Sequence, residues 1–256
     1  MKLQILIPCW NHWEATAKCL ASIFNSKINF DFKVLVYNNN STDLTAKFLT
    51  HVAHENYPIV AVHNMKENLG FVEAVNALLP LVDSDYVLLM NNDVILDKDC
   101  IKNLVETIQK NSDFGILGGM QYDINWMQQH PVKNFVRGST ATIDHHIMMS
   151  DVSPNNMDSD YILCDDVHMA CAVTPTSILK KFKLDPIYGL GNYDQEQYCL
   201  DVKQAGYKVA ICPKAKYIHF GAITSSDMFI TMQDLLNKNR KIFWKRWGEK
   251  LRQNLI

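Results

Sequence analysis

Tyr86-Val87-Leu88-Leu89-Met90-Asn91-Asn92-Asp93 decides how the rest of this 256-residue chain is read. Five apolar or aromatic residues without alternation mark a strand buried on both faces, as in parallel sheets. Three polar residues follow at once and end in a carboxylate. In that position Asp93 can bind a hard divalent cation through oxygen, leaving other coordination positions to water or phosphate. Turn chemistry explains Asn-Asn-Asp without any ligand, so alone the stretch leaves both readings open. Asp97, four residues on, falls past the turn.

Outward from this strand the first 120 residues keep a regular rhythm. Leu3–Pro8, Phe32–Tyr37, Ile59–Val62 and Gly115–Met120 read as further strands. Helical spacing fills Glu14–Phe24, Thr42–His54, Phe71–Val82 and Lys98–Lys110. Such alternation with short links predicts right-handed βαβ units and a doubly wound, mostly parallel α/β sheet. Ligands on that sheet sit beyond the strands' carboxyl ends, which here are Pro8–His12, Asn38–Asp43, His63–Gly70 and Asn91–Asp97. Residues 121–160, rich in Asp, Asn, Met and His, interrupt the rhythm and read as an excursion or lid. Periodicity returns at Cys164–Val173. Helices follow near Thr176–Phe182 and around Gln195–Ala205, the latter stopped by Gly206. Short strands are expected at Lys208–Ile211 and Lys216–Phe220, and one long helix from Met228 to Leu251.

With 48% apolar residues, 20% charged residues and a formal charge of −2, the composition excludes a disordered chain. It also removes bulk electrostatics as an argument for nucleic acid. No stretch reaches the roughly 20 apolar residues of a membrane span, and Pro8 breaks the N-terminal run too soon for a secretory signal. The seven cysteines are odd in number and contain no CxxC, which suits buried thiols in a reducing compartment. The expectation is a cytoplasmic protein.

Three further segments carry chemistry. Asn38-Asn39-Asn40-Ser41-Thr42-Asp43 can bind a polar ligand, or serve as an Asx-rich turn whose Ser41 or Thr42 caps the next helix. Tyr193-Asp194-Gln195-Glu196-Gln197 opens a helix; acids there suit the macrodipole, and a carboxylate there can also act as a general base. His219 ends a short strand, and a lone histidine is commonly structural. The remaining histidines, including His145-His146 and His168, lack a zinc-like pattern.

The order of these segments resembles that of family 2 glycosyltransferases. Ile5–Asn11, Asn39–Asp43, Glu67-Asn68-Leu69-Gly70-Phe71 and Leu88–Asp93 are similar to the family's nucleotide-sugar half. Gly189–Gly191, Tyr193–Gln197, Ala205-Gly206-Tyr207, Pro213 and Tyr217-Ile218-His219 are similar to its acceptor half, and Asn237–Arg240 to its tail. The resemblance runs over about residues 3–245 and implies one GT-A domain over 1–256. Its parts would be a donor half at 1–120, an acceptor half at 121–226 and a basic C-terminal helix at 227–256. It implies a nucleoside-diphosphate sugar donor, a UDP or dTDP sugar first, and a divalent metal, Mn2+ or Mg2+. Asp93 and His219 would hold the metal, while Pro8, Trp10, Asn11, Asn38, Asn40, Asp43, Asn68, Gly70, Asn91 and Asn92 surround the donor. The acceptor would be a hydroxyl on a glycan, a lipid-linked glycan or a nucleic acid.

Two departures stand out. Counting back from Gly206 puts Gln195 where inverting members carry their base, and glutamine cannot accept a proton. The base is then Asp194 or, second, Glu196, or else the protein binds a nucleotide sugar without transferring it. Asn38 stands where many members have an aspartate that contacts the nucleobase. A sugar-phosphate nucleotidyltransferase is a remoter alternative, since Cys9-Trp10-Asn11-His12-Trp13 has no glycine-rich loop. The tail, with Lys238, Arg240, Lys241, Lys245, Arg246, Lys250 and Arg252 around Phe243, Trp244 and Trp247, reads in three ways. It is a solvated face over an aromatic seam, a helix on an anionic membrane, or a nucleic-acid contact. Tyr122 and Trp126 are expected to touch the acceptor.

Overall fold

The computed structural model describes residues 1–55, 60–122, 158–221 and 229–253. The first half runs β1 (Lys2–Cys9), α1 (Trp13–Phe24), β2 (Asp31–Asn38), α2 (Thr45–His54), β3 (Val60–Asn64) and α3 (Gly70–Leu78). It continues with β4 (Tyr86–Met90), β5 (Val94–Leu96), α4 (Cys100–Lys110) and β6 (Phe114–Tyr122). The second half adds β7 (Ile162–Leu163), β8 (Cys171–Pro175), α5 (Thr176–Phe182), α6 (Asp194–Gln204), β9 (Lys208–His219) and α7 (Phe229–Arg252).

The strands join in the order β3-β2-β1-β4-β8-β6-β9-β5, with β7 also on β9. The layer β3-β2-β1-β4 is parallel throughout. Beyond it β8 runs antiparallel to both β4 and β6, while β6 and β9 pair parallel. Strands this apolar need cover on both faces, and the period of two divides β1 between two cores. Leu3, Ile5, Ile7 and Cys9 pack with Leu20 and Ile23 of α1, Leu49 of α2 and Leu104 of α4. Leu6 faces the other way, toward Val72 and Val75 of α3, Leu179 of α5 and Val202 of α6. A third cluster seats Phe243 and Trp247 of α7 on Tyr188, Tyr193 and Leu200. All seven cysteines are free and buried.

Several boundaries differ from the sequence expectation for local reasons. The helix expected to reach Val82 ends at Leu78, and Leu79–Leu81 tighten into a 3-10 turn at Pro80. Neither Ser41 nor Thr42 caps α2. Asp43 Oδ1 accepts the Thr45 N–H at 2.9 Å, and Ser41 Oγ accepts from Asn11 N at 2.9 Å instead. The two late strands are one strand, β9, which passes through Pro213. Its register on β6 shifts between Gly118 and Met120, so the proline lies where no ladder bond is required. Strand β5, too short to show a period, exists because it pairs with β9, Val94 opposite His219. Most of the expected excursion, including Trp126 and His145-His146, lies outside the described residues; Tyr122 closes β6.

Candidate active site

The β5–β9 pairing brings two strand ends together. His219 Nε2 lies 3.0 Å from Asp93 Oδ1, and the Phe220 N–H donates to the Asp93 carbonyl at 3.1 Å. Asn91 Nδ2 is 3.2 Å from the same histidine nitrogen. One carboxylate oxygen and one imidazole nitrogen converging at the carboxyl edge of the sheet suit a divalent ion such as Mn2+ or Mg2+. Among the described residues no group of three or more His, Cys, Asp or Glu converges. Two protein ligands would therefore leave most coordination positions to diphosphate oxygens and water.

His168, set aside in the sequence as lacking a metal pattern, packs its ring 5.2 Å from that of His219. Its Nδ1 accepts the Ala170 N–H at 3.2 Å. Burial, and then the neighbouring His219, push its pKa down to about 4, so the ring is neutral at pH 7 with its proton on Nε2. No spacing signal pointed to it, because the link from His168 to His219 is made by sheet order, β8 lying beside β4.

The other strand ends are joined by amide side chains. Asn11 Oδ1 accepts from Thr42 N at 2.8 Å, tying the loop after β1 to that after β2. Asn39 Nδ2 donates to the Gly70 carbonyl at 3.1 Å, while its Oδ1 accepts the Leu69 N–H at 2.8 Å. Asn68 Oδ1 accepts the Gly70 N–H at 2.9 Å, and Asn92 Nδ2 donates to Thr16 Oγ1 at 3.0 Å. Asn92 is thus turned toward α1 and the loop after β1. Asn38 is also engaged: its amide donates to Asn64 Oδ1 at 2.8 Å and its oxygen accepts the Ser41 N–H at 3.2 Å. Pro8 lies in β1 opposite Tyr37, with Trp10 half-buried just beyond the strand. Asn40 is exposed with a left-handed φ of 61°, and Asp43, besides capping α2, accepts from Trp13 N at 3.4 Å. Asn39, quoted only as part of a motif, ties the loop after β2 to the one before α3 through both ends of its amide.

Helix α6 supplies the carboxylates. Asp194 and Glu196 are both buried, whereas Gln195 is half-buried and its Oε1 accepts the Met169 N–H at 3.3 Å, next to His168. Burial pushes Asp194 up to about 6. Burial raises Glu196 further, to about 8, with Asp166 and then Asp194 adding to it, and Glu196 Oε2 has no hydrogen-bond partner among the described residues. Asp166, unremarked in the sequence, is itself buried. The loop before α6 abuts the start of α3: a Cβ on Gly70 would lie 2.4 Å from Leu190 Cα, and Phe71 N donates to Leu190 O at 3.4 Å. Gly70, with φ +75°, is glycine for both reasons.

A parallel α/β layer extended by antiparallel strands, with a carboxylate–histidine pair at its carboxyl edge, is the GT-A glycosyltransferase fold. A mannosyltransferase from Pyrobaculum calidifontis, solved with GDP-Man and Mn2+, superimposes with a TM-score of 0.64 at 13% identity, covering 85% of this chain and 56% of that one. Residues 1–349 of Staphylococcus aureus TarS, solved with UDP-GlcNAc, give 0.61 at 15% identity, covering 85% and 58%. The sequence model of glycosyl transferase family 2 matches residues 4–182, and the chain belongs to that family. Poly-beta-1,6-N-acetyl-D-glucosamine synthase of S. aureus strain COL is 21% identical over 220 residues, 83% of this chain and 48% of that protein. The chain thus spans about half the length of these relatives. Among the described residues, no helix is long and apolar enough to cross a membrane.

Proposed function

We propose that this protein transfers a sugar, with inversion, from a nucleoside-diphosphate donor to an acceptor hydroxyl. The observation that carries the reading is the Asp93–His219 pair, 3.0 Å apart at the carboxyl edge of a family 2 sheet. GDP-Man with Mn2+ in one neighbour and UDP-GlcNAc in another support a donor of this class. A divalent ion between Asp93 and His219 would neutralise the charge that develops on the leaving diphosphate.

Asp194 is the base in this reading. It takes the acceptor proton as the hydroxyl oxygen bonds to the anomeric carbon, while the bond to the diphosphate breaks on the opposite face and its electrons leave with the phosphate. A base must be ionised at working pH. At pH 7 a carboxyl with a pKa of about 6 is mostly ionised and one of about 8 mostly protonated, which favours Asp194 over Glu196. The amide contact of Asn38 with Asn64 moves nucleobase recognition away from a single acidic residue; a UDP or dTDP donor remains the first choice. The basic outer side of α7, with Lys238, Lys241 and Lys245 exposed, supports an acceptor borne near an anionic membrane surface. A glycan or lipid-linked glycan is favoured over nucleic acid. One observation favours a second reading, donor binding without transfer: among the described residues the first-turn side chain that bonds beside His168 is Gln195.

The test is thermal shift with UDP, dTDP, GDP and CMP sugars, each with Mn2+ and with EDTA. A ligand at about 100 times its Kd adds roughly 2.7 kcal/mol, a rise of several degrees. A metal-dependent shift for one nucleotide supports the donor site, and no shift for any sinks it. Release of nucleoside diphosphate by that donor excludes the binding-only reading. If Gln195→Asp turns over while wild type is silent, the binding-only reading holds.

A further inference from the structure

We propose that Asn239, on α7 and outside the donor and acceptor motifs, is a positioning residue that holds the turn aiming the Asp194 carboxylate. The proposal rests on Asp194 being the base. The turn before α6 is unusual in its backbone. Gly189, Gly191, Asn192 and Tyr193 all have positive φ, at 60°, 135°, 70° and 67°. Two of them are not glycine, and non-glycine residues keep that conformation only where their surroundings enforce it. Such a run also turns carbonyl oxygens inward, where each needs a donor.

Asn239 supplies the donors. Its Nδ2 donates to Tyr188 O at 2.8 Å, Gly191 O at 2.8 Å and Asn192 O at 3.2 Å. Two N–H groups serve three carbonyls, the longest bond being shared. The three carbonyls also determine which way the amide faces, since the reverse orientation would set oxygen against oxygen. Its Oδ1 is then left without a partner among the described residues, in a side chain with 0% exposure. Tyr193, which immediately precedes Asp194, packs its ring 5.1 Å from Phe243 on the same helix. On its far side the turn meets Gly70 through Leu190. The turn is therefore held between α7 and the donor half, and it ends at Asp194. Among the described residues no side chain caps the start of α6, so the helix's first residue takes its direction from this turn.

The experiment compares Asn239→Ala and Asn239→Asp with Trp247→Phe. The last removes from the same helix the indole N–H bond to Gln197 Oε1, at 2.7 Å, while keeping a ring against Tyr188 and Tyr193 and leaving the three Asn239 bonds in place. Each variant is read by 13C NMR titration of the Asp194 carboxyl and by nucleoside-diphosphate release with Mn2+, using the donor identified by the sugar-nucleotide panel. The Asn239 variants are expected to move the Asp194 pKa by about one unit or more. They should lower kcat at least tenfold with donor KM within twofold of wild type, whereas Trp247→Phe changes neither beyond twofold even where Tm falls. Asn192→Gly is expected to rescue Asn239→Ala in part, because glycine adopts the left-handed turn unaided; it also covers the case in which the single variant folds poorly. Equal changes in Trp247→Phe, or no rescue, overturn the proposal and leave Asn239 as packing. If Asp194→Asn keeps wild-type turnover while the Asn239 variants still move the Asp194 pKa, the base assignment falls and the clamp stands. If Asp194→Asn is dead and the Asn239 variants move neither readout, the clamp falls alone.

Discussion

In the loops after β1, β2 and β4 the buried polar side chains, Asp93 excepted, are neutral amides. Asn38, Asn39 and Asn92 each spend hydrogen bonds on neighbouring strand ends, loops or the first helix. At the start of α6 the buried polar side chains are carboxylates. Asp194 and Glu196, near Asp166, carry raised pKa values, and Glu196 keeps one oxygen without a hydrogen bond among the described residues. An amide engaged at both ends adds rigidity at little electrostatic cost, whereas a buried ionised acid is costly. The proposed donor side of this sheet is thus built for a preset shape. The proposed acceptor side holds charge that weakens the fold, as the proposed base requires.

The largest test of this contrast is Asp194→Asn. Transfer should fall by about 10²–10⁴ with donor affinity retained. In wild type, turnover should fall as pH drops through about 6, because the base becomes protonated. Stability should move the other way. A carboxyl whose folded pKa lies above its unfolded value loses stability as pH rises between about 4 and 6, and the cost persists at pH 7. Asp194→Asn should therefore raise Tm at pH 7 and give no gain at pH 4, as calorimetry at the two values would read. If Glu196→Gln abolishes transfer instead, the base belongs there.

Asp93→Ala comes next. Metal-dependent donor binding should weaken at least 100-fold by calorimetric titration, and undiminished binding with Mn2+ would end the metal assignment. Asn39→Ala addresses the donor side. Removing the amide leaves the Leu69 N–H and the Gly70 carbonyl without it, at roughly 1–3 kcal/mol. Its Tm should fall at both pH 4 and pH 7, opposite in sign to Asp194→Asn; a rise would erase the distinction between the two regions. Smallest is His219→Gln, expected to weaken Mn2+ about tenfold while Tm in EDTA stays within about 2 °C. An unchanged metal titration would make His219 a structural partner of Asp93.

Much of the strand–helix order was legible in order of appearance. Tyr86–Met90 and Thr176–Phe182 have the expected bounds, because an unbroken apolar run and a short amphipathic turn are local patterns. The tail reads as a helix for the same reason, but its aromatics were ambiguous by nature: the same spacing serves a membrane face or a core. Packing decided it for Phe243 and Trp247, which are buried against Tyr188, Tyr193 and Leu200. Strand β5 and the continuity of β9 through Pro213 were not legible, since both depend on a partner strand distant in sequence.

The site divides along the same line. Positions after strands drew attention to Asp93, His219 and the Asx-rich loops, because the chemistry of a strand end follows from its own few residues, but only the resemblance to the family assigned Asp93 and His219 to a metal. The sequence by itself could not order Asp194, Gln195 and Glu196, connect His168 to His219, or give a role to Asn239, quoted only within the tail motif. Those relations arise from burial and from contacts between segments far apart in the chain. Burial raises both neighbouring acids, and the charges of Asp166 and Asp194 help carry Glu196 to about 8 against about 6 for Asp194; only the docking of α7 on the turn gives an asparagine of the last helix three carbonyls to hold.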